Sequence, residues 1–136
     1  MSLTFNEAAD DIFQLIKAAW DITGLELSWP NVKPAKPTNN DSHAKVFIRH
    51  VTGGQRTIGS SNLFERVGLV TIQVFIPVGK GLQEGYTLAK VLVDAFEGKS
   101  TSNGVWFKNT VPEEANNIGQ FFQINVVTEF WYHEQK

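Results

Sequence analysis

The sequence predicts an α+β fold, a two-layer sandwich with two helices on one face of a mixed, mostly antiparallel sheet of about five strands. Three observations predict it. Residues 4–20 and 82–97 repeat apolar side chains at three- and four-residue steps, the period of a half-buried helix. Several other stretches alternate apolar and polar residues, the period of a strand with one face buried. The order is helix, three strands, helix, two strands, so two helices must serve the whole sheet. They cannot cover both faces, and they pack most simply on one. A length of 136 residues suits a single domain, 1–136, with no internal repeat.

The elements follow in order. Thr4 and Glu7 match a capping box at the start of the first helix, and Asp10 and Asp11 lie toward its positive end. Phe5, Ala8, Ala9, Ile12, Phe13, Ile16, Ala19 and Trp20 form its apolar face, and Gly24 closes its exit. Leu25–Trp29 is a short strand that Pro30 ends or marks as an edge. "PNVKPAKPTNNDSH" has no periodicity and reads as a loop. Ala44–Val51 is a strand with Val46, Ile48 and His50 on one face and Phe47, Arg49 and Val51 on the other. Thr52–Asn62, rich in glycine and serine, reads as a flexible connector of a long β-hairpin loop.

The next strand runs from Leu63 to Ile76. Val70, Ile72, Val74 and Ile76 share one face, and Leu69, Thr71, Gln73 and Phe75 the other. Pro77, Gly79 and Gly81 make a turn into the second helix, whose face carries Leu88, Val91, Leu92, Ala95 and Phe96 and which Gly98 stops. Val105–Asn109 is a short strand, and "VPEEANNIG" reads as a loop. The last strand, Gly119–Tyr132, sets Phe122, Ile124, Val126, Thr128, Phe130 and Tyr132 against Phe121, Gln123, Asn125, Val127, Glu129 and Trp131.

Composition narrows the chemistry. The formal net charge is −2, so no global field draws the chain to nucleic acid or anionic lipid. There is no cysteine, hence no disulfide, iron–sulfur site or thiol nucleophile. No apolar run reaches the ~20 residues of a membrane span. "MSLTFNEAADDIF" has early acids and no basic region, unlike a secretion signal. The expectation is a soluble intracellular domain, or a part of something assembled inside a cell.

The motifs that could carry catalysis fail on spacing. Gly98-Lys99-Ser100 imitates the end of a phosphate loop, but Val93 stands where that motif needs glycine, and the tripeptide follows a helix instead of preceding one. Gly79 and Gly81 are too loosely set for a dinucleotide fingerprint. His43, His50 and His133 have no zinc spacing and read as surface residues. Glu113 and Glu114 are adjacent and cannot share a cleft from a regular element, and no serine stands in a Gly-x-Ser-x-Gly elbow. No catalytic, cofactor-binding or metal-binding residue is therefore expected, and no enzymatic activity.

Two features read as contacts. Arg56, Ile58, Leu63, Phe64 and Arg66 place apolar anchors beside arginines in or next to a polar loop. The plain alternative is a disordered hairpin tip. The sheet face away from the helices carries Phe75, Val127 and Trp131, with Trp106 as a further candidate, which is more aromatic surface than a lone subunit usually leaves bare.

With these pieces in order, the chain resembles the tail-terminator (tail-completion) proteins of long-tailed bacteriophages and prophages. The likeness lies in the N-terminal helix, "LELSWPN", the proline-rich loop, "RVGLVTIQVFIPVGKG", "LAKVLVDAFEGKS" and the closing "FFQINVVTEFWY". It spans nearly the full length. The resemblance implies subunits that assemble into a ring, usually a hexamer, capping the tail tube, stopping its polymerisation and offering a surface to the head–tail connector. It implies assembly in the host bacterial cytoplasm and residence in the virion tail, with no cofactor, no membrane and no direct nucleic-acid recognition. Two alternatives stay open. One is another head–tail neck or minor tail protein of similar fold. The other is a small ligand-binding domain or enzyme, which would be monomeric with a concave pocket of perturbed titratable groups.

Overall fold

A computed structural model describes residues 2–30, 42–55, 62–79, 81–115 and 119–136. The elements are α1 (Phe5–Trp20), a 3-10 turn (Asp21–Thr23), β1 (Glu26–Ser28), β2 (His43–Gln55), β3 (Leu63–Pro77), α2 (Gln83–Phe96), β4 (Trp106–Glu114) and β5 (Phe121–Gln135). The strands form one sheet in the order β1-β2-β3-β5-β4. Only β1 and β2 run parallel; the other neighbours are antiparallel.

The register sorts the side chains as the alternation predicts. Val46 lies opposite Ile72, which lies opposite Val126, and all three are buried under the helices. Ala8, Ile12, Ile16 and Trp20 of α1 and Leu88, Ala89, Leu92 and Phe96 of α2 complete the same core. Both helices therefore lie on one face, and the sandwich has two layers.

Local chemistry fixes the ends of the helices. The Thr4 hydroxyl accepts from the Glu7 N–H at 3.3 Å, and the Glu7 carboxylate accepts from the Thr4 N–H at 3.1 Å. That reciprocal pair is the capping box, and it satisfies donors that the helix cannot. At the other end the Trp20 indole Nε1 donates to the carbonyls of Leu25 and Glu26, tying α1 to the start of β1. Gly98 follows α2 at φ +69°, the left-handed conformation that ends a helix.

The strands are longer than their alternation suggests. β2 continues to Gln55 and β3 begins at Leu63, so Thr52–Gln55 belongs to the ladder and not to the connector. A register shift between His50 and Thr52 hides this, because a bulge breaks the period of two. β4 likewise runs on to Glu114, through residues that read as loop. It shifts register between Lys108 and Val111, with Asn109 at φ 55°. β5 begins at Phe121 and extends to Gln135.

At about 3.4 Å per residue the 15-residue β3 and β5 are roughly 50 Å long. At about 1.5 Å per residue the helices span roughly 24 and 21 Å. The sheet overhangs its helices. Phe5, at the start of α1, sits edge-on to His50 with ring centroids 5.0 Å apart. Beyond that point Val51–Gln55, Leu63–Arg66 and His133–Gln135 continue as a three-stranded arm.

One close approach holds the base of this arm. Gly68 lies opposite His50 on one side and Phe130 on the other. A methyl group there would overlap both the Arg49 carbonyl oxygen and the Phe130 ring.

Candidate interaction surface

No described element covers the face of the sheet away from the helices. From β4 to β2 its rows read Trp106–Trp131–Val67–Thr52, then Lys108–Glu129–Leu69–Arg49, then Val111–Val127–Thr71–Phe47. Trp106 and Trp131 stack with centroids 5.7 Å apart and planes 15° apart. Trp106 and Phe47 are each 48% exposed. The band is apolar at its centre and charged at intervals, with Lys108 3.8 Å from Glu129.

Phe75 faces this side too, but its own neighbours close over it. His43 stacks on the ring at 4.9 Å, Phe121 meets it edge-on, and the Lys45 ammonium lies 5.6 Å from its centroid. Only 8% of Phe75 is exposed, so it supports the face from within. This also corrects the reading of His43 as a loop residue at the surface. His43 is the first residue of β2, directly opposite Phe75, and it is buried. His133 is half-buried in β5, edge-on to the Trp131 ring.

Arg56 and Ile58 lie outside the described residues. Leu63, Phe64 and Arg66 open β3 in the arm. Arg66 is held within the subunit. Its Nε and Nη2 donate to the same Glu134 oxygen at 3.2 and 3.0 Å, and its guanidinium lies over the Phe5 and Phe64 rings. Both partners of this pair are largely shielded from water. Leu63 and Phe64 are half-buried.

Beneath Arg66 lies a polar pair that the sequence reading passed over. His50 Nε2 and the buried Tyr132 hydroxyl are 2.6 Å apart. Burial first, and the nearby Arg66 guanidinium second, hold the His50 imidazole below its ordinary value. Burial first, then the Glu134 carboxylate, pushes the Tyr132 phenol up to about 12. The signal that could have found the pair is His50 on the core-facing side of its strand.

Three hollows mark the surface. One of about 460 Å³ is lined by Pro77, Val78, Gly79, Gly81, Leu82 and Phe122, with no titratable group among these described residues. One of about 300 Å³ lies between Ser2, Leu3, Glu7, Asp10, Asp11 and Asn103. One of about 160 Å³ lies between Phe5, His50, Val51, Thr52, Gly53 and Arg66. Among the described residues no group of three His, Cys, Asp or Glu could hold a metal ion, and no helix is long and apolar enough to cross a membrane.

The two sheet edges differ. β1 is three residues long and pairs only with His43–Lys45, so among the described residues no strand pairs with the outer side of Val46–Gln55. β4 carries Pro112, which has no N–H, a register shift, and a bridge from Ser100 to Trp106 along its outer side. These features of β4 resist the addition of another strand.

A family model described as phage tail terminator protein matches residues 12–108. The chain belongs to the phage tail terminator family. It is thus a structural protein of a phage tail, and the family is a structural one. Two solved structures share the fold of this chain. One has a TM-score of 0.63 at 15% identity and covers 88% of this chain and 94% of its own. The other, from the virion of a native gene transfer agent particle, has a TM-score of 0.60 at 14% identity and covers 91% and 92%. No curated protein matches the chain.

Proposed function

We propose that copies of this chain form a ring, a hexamer as in the family resemblance, that caps the tail tube, ends tube polymerisation and presents a surface to the head–tail connector. Assembly takes place in the host bacterial cytoplasm, and the ring stays in the virion tail. The role is one of protein–protein binding, without catalysis, cofactor, membrane or nucleic-acid recognition. Family membership carries the tail role. The observation that supports self-assembly is the sheet face away from the helices, where Trp106 and Phe47 are each about half exposed. Exposed aromatic surface of this kind marks a protein–protein contact.

In this reading Trp131 belongs to the contact between subunits. The arm, with Leu63 and Phe64 and the neighbouring Arg56 and Ile58, meets the tube, and Arg66 holds its base. The test is a tube-growth assay with a purified tail-tube protein. Added chain is expected to shorten the tubes in proportion to its concentration and to sit at their ends by electron microscopy. The variant with serine at Ile58, Leu63 and Phe64 is expected to remain folded and leave tube length unchanged. Tubes that grow to the same length with and without the native chain would overturn the reading.

A further inference from the structure

We infer that each copy of the chain seats the outer stripe of α1 on the open sheet face of the next copy, acids of the helix against bases of β2. The inference rests on the ring reading above and names the contact that builds the ring.

On the open face β2 presents Lys45, Phe47 and Arg49, a base, an aromatic and a base. No acid occurs anywhere from His43 to Gln55. The outer side of α1 has the opposite character. The stripe facing away from Ile12 and Ile16 carries Glu7, Asp10 and, just past the helix, Asp21, all exposed, with Lys17 as its one base. Among the described residues none of Lys45, Arg49, Asp10 and Asp21 takes part in a salt bridge. The stripe of α1 thus has an excess of acid and the β2 stripe an excess of base, and the two attract.

The spacings match. Eleven residues of near-helical rise set Asp10 and Asp21 about 16 Å apart. Four residues of strand set Lys45 and Arg49 about 13 Å apart. The difference is within the reach of lysine and arginine side chains. Ala18, exposed on the same stripe between the two acids, is small enough for Phe47 to lie against it. Ile22, 83% exposed beside Asp21, adds an apolar contact at the end of the stripe.

The geometry also sets the symmetry. Two different patches of one chain give a head-to-tail contact, which closes into a ring when the rotation allows it. The outer stripe of α1 and the open sheet face lie on opposite sides of the sandwich, so a single two-fold contact cannot bring both pairs of patches together. A polyanion is the other partner that a basic strand could take, but two cations around one aromatic, on a chain of net charge −2, are a poor footprint for it.

The experiment uses the full chain and native mass spectrometry from about 1 μM to about 1 mM. The native chain is expected to assemble on its own, less at high salt. K45E/R49E and D10K/D21K are each expected to remain folded by circular dichroism and to assemble at least about tenfold more weakly. Mixed together they are expected to assemble again, with the two chains in equal number, because only unlike neighbours then match. A native chain that stays monomeric overturns both the ring and this contact. Native assembly with K45E/R49E unaffected, or a mixture that stays monomeric, overturns the contact and leaves the ring standing. Salt-dependent binding of a duplex oligonucleotide, lost in K45E/R49E, would reassign the β2 stripe to a polyanion and overturn the contact.

Discussion

Single residues couple the arm to the helix layer. His50 touches Phe5 of α1, Phe130 and Tyr132 of β5, and it feels Arg66 of β3. His50 is still exposed at its edge, and its partial burial and the nearby cation oppose the proton and lower the value of its imidazole. The unfolded chain, with an ordinary histidine, takes that proton up more readily. Stability from this group is therefore full above about pH 6.5 and is lost as the pH falls below that value. The phenol of Tyr132 works in the opposite direction. Its raised value means that its contribution is lost as the pH climbs from about 10 toward about 12. Thermal melts of the native chain and of His50→Gln between pH 7 and pH 5 check the first sign. The native chain is expected to lose more Tm over that interval. Equal slopes would show that His50 does not titrate differently on folding. None of this was legible in the sequence. His50 was placed on the right side of its strand, but its partners are 16 and 82 residues away and are set by register. The same holds for Arg66, whose carboxylate partner is Glu134.

At the scale of elements, the helices and the central strands were legible and the margins were not. The capping box and the apolar spacing of α1 are local signals, and so is the unbroken alternation of β3. The bulges in β2 and β4 shift the pattern by one residue, so the residues past them fell out of phase and read as loop. Pro112 and the pair Glu113–Glu114 looked like strand breakers, yet an edge strand with one side in water tolerates all three. The tight packing at Gly68 gives a prediction at this scale. Gly68→Ala must move either the Arg49 backbone or the Phe130 ring, and overpacking of this kind costs about 1–3 kcal/mol. A fall in the urea midpoint with an unchanged slope is the expected result, and an unchanged midpoint would mean the strands can part without cost. The Trp106–Trp131 stack belongs to the outer face, so Trp106→Ala is expected to lose about 0.5–1.5 kcal/mol of ring pairing in addition to the area that Trp106 buries, while changing the aromatic circular dichroism.

At the scale of the molecule, the two-layer design puts both helices on one face of the sheet and no described element on the other. The composition of that face was legible, since Trp131 and Phe75 were both assigned to it. Its accessible part was not, because the closing of Phe75 by His43 and Phe121 depends on which residues lie across the ladder. Which strands form the edges could not be read either, as that follows from strand order. Strand order also makes β5 the one described strand beside β4 and one of the two beside β3. A chain ending at Gln120 is thus expected to show no cooperative unfolding transition, whereas loss of the three-residue β1 would leave the central ladder intact. Thermal denaturation followed by circular dichroism separates the two.

The place of β5 has a consequence for how the protein is made. A ribosome releases β2 and β3 early, and they can pair as a hairpin at once. β4 then emerges with nothing to pair with, and the free side of β3 stays bare until β5 follows. The middle of the sheet is filled last, by an insertion between two strands already synthesised. Until that moment the nascent chain displays the apolar run of β3 to any strand it meets. Production of this protein is therefore most vulnerable to misassembly in the short interval before its final strand arrives, and crowded or stalled translation should harm its yield more than its finished stability suggests.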